Sequence, residues 1–218
     1  HNSHINAAFY VPLFNHYVSK DLDELRCGRR EPNLYRWIER IPDGSVLFDI
    51  GTNYGQESIW ASCQRNKTIL TIGFDCGLLT SHFCALNREL NNRAFEFVFA
   101  AVGSSQGEMV TITTNSDTHV RRLHKKNVPY SYQVPCISLD GYATDSDLSP
   151  THLKIDVDGA EAEVIAGAEE LLSGNVLREI FIEIDHVNCG LAERIAEYGF
   201  TIAWQNNKSE NTEYLFTR

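Results

Sequence analysis

A glycine turn follows the first strongly apolar segment of the chain. Residues 46–50 predict a buried strand that carries one carboxylate, Asp49, and Gly51 and Gly55 follow it before a helical pattern begins. Glycine lets the backbone leave a strand tightly and approach a ligand closely. The start of the helix favours a ligand carboxylate, and an ammonium can reach Asp49 through a water or a backbone carbonyl. The turn therefore suits a zwitterionic ligand, unless its glycines only make a tight connection.

The spacing of this turn does not match two common phosphate sites. Asn53 stands where the dinucleotide-binding Gly-x-Gly-x-x-Gly motif has its middle glycine, and no Lys-Ser/Thr pair follows as in a Walker-type loop. This pattern disfavours a nucleotide-dependent oxidoreductase, which remains an alternative function.

Two further segments supply positions for an adenosine. Asp75 follows the predicted strand 68–74 and lies twenty residues after Gly55, a distance at which an acidic side chain accepts the ribose hydroxyls. The alternative is an ordinary helix N-cap. The predicted strand 95–102 ends in small residues that can border an adenine ring. The candidate cofactor-binding residues are Asp49, Gly51, Thr52, Asn53, Gly55, Ser58, Asp75, Cys76, Ala101 and Val102.

Two later strands alternate apolar and charged residues. Lys154 and Asp156 lie in the predicted strand 152–157, and Glu183 and Asp185 lie in the predicted strand 179–185. If these strands are parallel neighbours, one register pairs Lys154 with Glu183 and Asp156 with Asp185 on the same face. A buried ion pair is the simplest interpretation of the first pair, because it cancels two costly charges.

The ends of these strands carry the candidate catalytic residues Asp156, Asp185 and His186. Two carboxylates and an imidazole can hold Mg²⁺ or Mn²⁺, which would orient and acidify a substrate hydroxyl. Alternatively, Asp156 or His186 acts directly as the general base. Asp158 and Glu161 predict a D-x-x-E capping arrangement for the following helix.

A basic run, Arg-Arg-Leu-His-Lys-Lys over residues 121–126, interrupts an otherwise acidic sequence. Such a run in a predicted loop is usually a solvated surface. Its position also suits a lid over the substrate, with His119 and Tyr130 as second-rank candidates for contact. In an otherwise acidic protein, such a basic lid would attract an anionic or sugar-bearing substrate.

These residues need a scaffold that brings the strand ends together. From residue 45 onward, short apolar runs alternate with helical periodicity, which is typical of a parallel sheet covered on both faces. Right-handed crossovers then predict a doubly wound, Rossmann-like α/β sheet of seven strands that ends in an antiparallel hairpin around residues 206–211. The further predicted elements are helices over 32–41, 56–63, 78–91, 160–172 and 190–198, and strands over 109–114, 200–205 and 214–217.

Composition limits the classes of partner. The chain has 218 residues and a formal net charge of −10, so general binding to nucleic-acid backbones is disfavoured. No apolar stretch is long enough to predict a membrane span. The six cysteines include no C-x-x-C pair, which predicts free thiols and a reducing, cytoplasmic setting.

Residues 47–55 (LFDIGTNYG) and 153–161 (LKIDVDGAE) resemble the FkbM family of S-adenosylmethionine-dependent methyltransferases. Residues 135–140 (PCISLD) are similar to the stretch before that family's K-I-D-x-[DE]-G-A-E motif, and residues 164–172 continue it. The resemblance implies a class I methyltransferase domain over 45–218, preceded by an N-terminal helical extension, 1–44, packed on the core. One departure is that Asp75-Cys76 stands where the family usually has Glu-Pro.

The resemblance also implies a reaction. The expected cofactor is S-adenosylmethionine, with Mg²⁺ or Mn²⁺ as an additional candidate. The expected activity is methyl transfer to a hydroxyl oxygen on a small molecule, sugar or glycan, with no nucleic-acid partner. A non-catalytic scaffold that keeps the methyltransferase fold is the second alternative function.

Overall fold

The computed structural model describes residues 5–10, 16–115 and 129–218 of the chain. They form a seven-stranded sheet with a smaller three-stranded sheet beside it. The large sheet contains β1 (Ser45–Ile50), β2 (Ile69–Asp75), β3 (Glu96–Phe99), β7 (His152–Ile155), β8 (Glu179–Asp185), β9 (Thr201–Asn207) and β10 (Asn211–Thr217). The small sheet contains β4 (Ala101–Val102), β5 (Met109–Asn115) and β6 (Pro129–Ile137). The helices are α1 (His16–Arg26), α2 (Pro32–Arg40), α3 (Gln56–Ser62), α4 (Leu78–Leu90), α5 (Leu139–Ser146), α6 (Glu161–Ala166), α7 (Glu169–Ser173) and α8 (Leu191–Glu197).

The strand order of the large sheet is β3-β2-β1-β7-β8-β10-β9. The chain therefore runs outward from β1 to one edge and then crosses to β7 on the other side of β1, so the order reverses between β1 and β7. In this sheet the neighbouring pairs β3–β2, β2–β1, β1–β7 and β7–β8 are parallel. The strand β10 pairs antiparallel with both β8 and β9. The predicted Rossmann-like sheet of seven strands and its terminal hairpin are confirmed.

Each face of the large sheet has its own apolar core. On one face, Trp37 and Ile38 of α2 pack against Leu47 and Phe181. On the other face, Phe48, Ile50, Leu153 and Ile155 pack against residues of α6, α7 and α8. The alternation along β1, in which Leu47 faces one core and Phe48 the other, follows from the two-residue period of a strand.

The structure differs from the sequence prediction in the second half of the chain. The helix predicted over 160–172 is divided into α6 and α7 at Gly167 and Ala168. Gly167 packs closely there, since a Cβ on it would lie 2.0 Å from the carbonyl oxygen of Gly103. The segment after β5, predicted as a loop, contains β6 and α5. The sequence analysis missed β6 because proline usually argues against a strand, and β6 contains Pro129 and Pro135. In the structure, Pro135 lies opposite Met109 at the end of the β5–β6 pairing.

Two further expectations concern the whole chain. All six cysteines are free thiols, as predicted. Within the described ranges, no helix is long and apolar enough to cross a membrane.

Two glycines at opposite ends of β1 allow a matched test of chain geometry. Gly44 and Gly51 have φ of +74° and +77°, but a Cβ on Gly44 meets nothing within 4 Å, whereas a Cβ on Gly51 would lie 1.8 Å from the Asp156 carbonyl oxygen. We expect Gly44→Ala to cost about 1–2 kcal/mol of unfolding free energy from backbone strain. Gly51→Ala should lose about 1–3 kcal/mol more, because β7 must also move. Urea unfolding of both variants measures the difference, and equal losses would contradict the close approach.

From the burial of His152 we expect the free energy of unfolding to fall in acid. His152 is 2% exposed beneath α2, and burial, assisted by Arg178 and Lys67, lowers its pKa to about 4. Because the folded-state pKa lies below the unfolded value, the stabilisation is complete above about pH 6.5 and is lost as the pH falls towards 4. The full effect is on the order of 3 kcal/mol.

The measurement is urea unfolding at several pH values for the unmodified protein and His152→Asn, with the exposed His82→Asn as the control. His152→Asn should flatten the pH dependence between pH 6.5 and 4. A His152→Asn slope equal to that of His82→Asn would show that the imidazole is not protected.

Candidate functional site

The carboxyl ends of β2, β1 and β7 meet at the point where the strand order reverses. The N–H groups of Gly51 and Thr52 donate to the Phe74 carbonyl at 2.9 and 3.0 Å, and the Asp156 N–H donates to the Ile50 carbonyl at 3.1 Å. These bonds fix the three strand ends to one another. In open α/β sheets this reversal point is where ligands bind.

Asp49 lies beneath the glycine turn and holds it from below. Its carboxylate is fully buried, and Oδ2 accepts hydrogen bonds from the hydroxyls of Thr52 at 2.7 Å and Ser58 at 2.6 Å. The Nζ of Lys154 lies 3.2 Å from Oδ1. The carboxylate is therefore occupied by protein groups, so it shapes the turn from inside the fold.

Lys154 joins the turn to the end of β7. Besides approaching Asp49, its Nζ donates to the Gly51 carbonyl at 3.0 Å and lies 3.7 Å from Oδ2 of Asp156. Burial alone lowers the pKa of a lysine, but the surrounding carboxylates, Asp49 first and Asp156 second, outweigh it and raise the pKa of Lys154. The ammonium therefore stays charged inside the protein.

Asp75 connects the turn to the loop after β2. Its Oδ2 accepts the Asn53 N–H at 2.9 Å, and its Oδ1 accepts the Gly77 N–H at 2.8 Å and the Thr80 hydroxyl at 2.7 Å. Burial raises the pKa of Asp75, and these hydrogen bonds oppose that shift. Asn53 needs a φ of +52° to make its bond, a conformation that asparagine tolerates better than most residues.

The remaining predicted cofactor residues surround this turn. Gly55 has a φ of +79°, and a Cβ there would lie 2.9 Å from the Phe95 ring. Cys76 is half-buried, and its carbonyl accepts the Tyr132 hydroxyl at 3.0 Å. Ala101 and Val102 form β4, which leaves the large sheet and pairs with β6. All ten residues thus lie at or near the ends of β1, β2 and β3.

The predicted pairing of the two charged strands is wrong by two residues. Lys154 lies opposite Phe181, and Ile155 lies opposite Ile182. The ion pair between Lys154 and Glu183 does not form, because β7 also borders β1, where Asp49 is the direct neighbour of Lys154. Glu183 instead contacts Lys208 at 2.7 Å.

The same register separates the residues predicted to hold a metal. Continued by one residue, it places Asp156 level with Glu183 and not with Asp185. His186 is exposed in a 3₁₀ turn, His186–Asn188. Across residues 5–10, 16–115 and 129–218, no group of three or more His, Cys, Asp or Glu side chains is arranged to hold a metal ion. The predicted Mg²⁺ or Mn²⁺ site is not supported.

The predicted D-x-x-E cap is also wrong. Ala160 is the N-cap of α6, and no side chain caps it. The Glu161 carboxylate instead accepts the Gly159 N–H at 2.8 Å and the side-chain amide of Asn188. Glu161 thereby connects the start of α6 to the 3₁₀ turn after β8.

Sequence analysis missed a charged network that joins the N-terminal residues to this site. Arg30 contacts Asp21 at 2.7 Å and Glu57 at 3.6 Å, and the Tyr35 hydroxyl donates to Glu57 at 2.6 Å. Glu57 stands in the first turn of α3, directly after the glycine turn. Although burial raises the pKa of Glu57, the Arg30 and Lys154 cations outweigh it and lower that pKa.

Glu31 completes this network with φ of +32° immediately before α2. Burial raises its pKa to about 7, with Glu57 and Asp156 adding to the shift and Arg30 and Lys154 opposing it. The only sequence signal for this network is Glu57, a charged residue in a helix turn whose other residues suit burial and which therefore needs a partner. Arg30 and Glu31 lie in a connection without periodicity, so their contacts depend on the tertiary fold.

Only part of the predicted lid lies within the described residues. His119 and the basic run over 121–126 lie outside the described residues. Tyr130 is 43% exposed on β6, where its ring stacks on Tyr132 with centroids 6.0 Å apart. Tyr132, two residues further along the same strand, donates its hydroxyl to the Cys76 carbonyl in the loop after β2.

Solved structures share this fold. The methyltransferase FkbM from Methylobacillus flagellatus KT superposes with a TM-score of 0.56 at 14% identity, covering 81% of this chain and 44% of that chain. The chain thus spans less than half the length of that relative. A putative tRNA (m1A22) methyltransferase from Streptococcus pneumoniae, in complex with S-adenosyl-L-methionine, gives a TM-score of 0.54 at 11% identity, covering 85% of this chain and 71% of that chain.

A protein of the NADB-Rossmann superfamily from Streptococcus agalactiae gives a TM-score of 0.55 at 10% identity, with coverages of 86% and 68%. At these identities the likeness establishes the fold alone. No curated protein matches the sequence. The model of the Methyltransferase FkbM domain matches residues 49–208, which begin at the buried Asp49 and end at Lys208. The chain belongs to the FkbM methyltransferase family.

Proposed function

We propose that the protein transfers a methyl group from S-adenosylmethionine to a hydroxyl oxygen of a small molecule, sugar or glycan. The observation that carries the proposal is the connection of the glycine turn to Asp75 through the Asn53 N–H at 2.9 Å. It brings a turn suited to an amino-acid group and a carboxylate suited to a ribose into one site, in a member of a methyltransferase family.

The residues at the strand ends fit this cofactor. Gly51 and Gly55 let the turn approach the Asp156 carbonyl and the Phe95 ring closely, which holds the turn against the neighbouring strand ends. Oδ2 of Asp75 accepts one protein hydrogen bond and so keeps a lone pair for a ribose hydroxyl. Asp49 is too deeply buried to contact a ligand directly, which supports an indirect role through the backbone of the turn.

Asp156 is the residue that best suits proton transfer. Its backbone is held by the Ile50 carbonyl, and its side chain is 40% exposed beside Gly51. Bound S-adenosylmethionine supplies the electrophilic methyl group. Asp156 would orient the acceptor hydroxyl and take its proton, and positioning of this kind provides much of the rate of a displacement reaction. Asp185 and His186 remain candidates for acceptor contacts at the same edge.

The charge of the chain supports a neutral or cationic acceptor. The net charge of −10 and the 40% exposed carboxylate of Asp156 after β7 disfavour a phosphate backbone. The Streptococcus pneumoniae neighbour is a putative tRNA (m1A22) methyltransferase, and that substrate belongs to that protein. The free thiols of all six cysteines support a reducing, cytoplasmic setting.

Thermal unfolding with S-adenosylhomocysteine tests the cofactor. Ligand at about 100 times its dissociation constant adds roughly 2.7 kcal/mol to the folded state. For a chain of this length we expect the midpoint to rise by about 5–10 °C. NAD serves as the control and should give no shift.

Two results would favour a function other than methyl transfer. A shift with NAD but none with S-adenosylhomocysteine would favour the oxidoreductase alternative. A shift with S-adenosylhomocysteine, but no methyl transfer from labelled S-adenosylmethionine to any of a broad set of hydroxyl compounds, would favour a non-catalytic scaffold.

Asp75→Asn tests the ribose contact. The neutral amide loses a charge-assisted acceptor for the ribose, so we expect S-adenosylhomocysteine to bind roughly 10–100-fold more weakly. Isothermal titration calorimetry measures the affinity, and far-ultraviolet circular dichroism checks that the variant is folded.

Asp140→Asn is the matched control. The Asp140 carboxylate likewise accepts two backbone N–H groups, those of Glu170 and Leu171 at 2.9 and 3.0 Å, but it caps α7 and lies outside the candidate cofactor set. It should cost stability without changing the affinity. Unchanged affinity in Asp75→Asn would remove Asp75 from the cofactor site.

A further inference from the structure

The N-terminal residues 5–10 (the strap) lie against α3 and α4. Ala7 and Phe9 of the strap pack on an apolar cluster whose buried members are Ile59, Cys84 and Phe95. Asn91 of α4 also holds the strap backbone, because its Oδ1 accepts the Ala8 N–H at 2.9 Å and its Nδ2 donates to the Ala8 carbonyl at 2.7 Å. The strap is therefore attached to α4 by hydrogen bonds as well as by apolar contacts.

Asn87, one turn before Asn91 on α4, contacts both the strap and the glycine turn. Its Oδ1 accepts the Tyr10 N–H at 2.7 Å, and its Nδ2 donates to the Tyr54 carbonyl at 2.9 Å. The Asn87 side chain is fully buried. An N–H on one side and a carbonyl on the other allow only one orientation of the amide, since its oxygen accepts and its nitrogen donates. One side chain thus joins the strap to the glycine turn.

The Tyr54 carbonyl depends on a partner from outside α3. In α3 the Ile59 N–H donates to the Gly55 carbonyl at 2.9 Å, so the Tyr54 carbonyl lies one residue before this helical pattern. The N–H of the same peptide unit, that of Gly55, donates to the Thr52 carbonyl at 2.7 Å. Both polar atoms of the peptide unit are therefore held, the N–H by the turn itself and the carbonyl by Asn87.

Asn87 and Asp75 hold neighbouring parts of the turn. Asp75 accepts the Asn53 N–H at 2.9 Å, and Asn87 holds the carbonyl of the next residue, Tyr54. Without Asn87 the turn would be fixed at Asn53 but free to rotate after it. A binding segment that is already fixed in its bound conformation loses less entropy when the ligand arrives.

We propose that Asn87 is a positioning residue for S-adenosylmethionine and that it couples the strap to the cofactor turn. The inference rests on the cofactor site proposed above. Asn87 acts through the Tyr54 carbonyl, and the Tyr10 N–H of the strap fixes the Asn87 amide. Coupling between two sites is reciprocal. A cofactor that favours the held turn must therefore also favour the attached strap.

Hydrogen exchange of the strap, followed by NMR in the full chain, measures this coupling. We expect saturating S-adenosylhomocysteine to slow exchange of the Ala8 and Tyr10 amides at least about fivefold, the lower end of typical coupling between sites. In Asn87→Leu the ligand should leave the exchange of these amides unchanged. A role of Asn87 in stability alone would give no ligand-dependent change in the strap of the unmodified protein.

Tyr10→Pro tests the same connection without altering the buried helix face. It removes the N–H that Asn87 accepts, so we expect S-adenosylhomocysteine to bind roughly 3–10-fold more weakly, as for the loss of one hydrogen bond. Tyr10→Ala is the matched control, because it loses the same exposed ring and keeps the N–H. It should retain the affinity of the unmodified protein. Calorimetry measures the affinities, and this pair decides the question even where Asn87→Leu fails to fold.

Two results would overturn the proposal while leaving the cofactor in place. One is saturable binding of S-adenosylhomocysteine with no change in the exchange of the strap amides. The other is equal affinity for S-adenosylhomocysteine in Tyr10→Pro and Tyr10→Ala. The absence of any S-adenosylhomocysteine binding to the unmodified protein would instead overturn the proposed function, and the role of Asn87 with it.

Discussion

The buried ammonium of Lys154 connects Asp49, the glycine turn and Asp156 at the centre of the candidate site. It neutralises Asp49, which would otherwise be a fully buried carboxylate with only two hydroxyl donors, and it holds the Gly51 carbonyl. An isolated buried charge costs several kcal/mol, whereas a paired and hydrogen-bonded one is tolerated. Lys154 and Asp49 therefore require each other, and their direct opposition across β1 and β7 fixes the glycine turn against the end of β7.

The same pairing explains why Asp156 lies where it does. Gly51 lets β1 leave the sheet with the Asp156 backbone in contact, since any side chain at position 51 would collide with the Asp156 carbonyl. Lys154 then approaches both carboxylates from one side. Backbone contacts and a shared cation thus position an exposed carboxylate beside the proposed cofactor turn, directly after the end of β7.

Residues before the region matched by the family also contribute to this arrangement. Arg30 and Tyr35 contact Glu57 in the first turn of α3. Burial is the main cause that raises the pKa of Glu31 to about 7, and the Glu57 and Asp156 carboxylates add to it. The Lys154 ammonium lowers the pKa of Glu31. The N-terminal helices thereby act on the electrostatics of the site as well as on the apolar core that α2 shares with the sheet.

The sequence by itself determined the α/β architecture, the glycine turn after β1, the position of Asp75 at the end of β2 and the terminal hairpin. These depend on local patterns: strand runs between helical periods, positive φ at glycine, and residues that directly follow strands. Only the tertiary structure decided which strand borders which, and so whether Lys154 neutralises Glu183 or Asp49. It also decided that Asp156, Asp185 and His186 are not arranged together as three metal ligands, and that Arg30 contacts Glu57. Strand register and long-range ion pairs depend on the packing of the whole sheet, because a charged residue in a strand is compatible with a partner on either neighbouring strand.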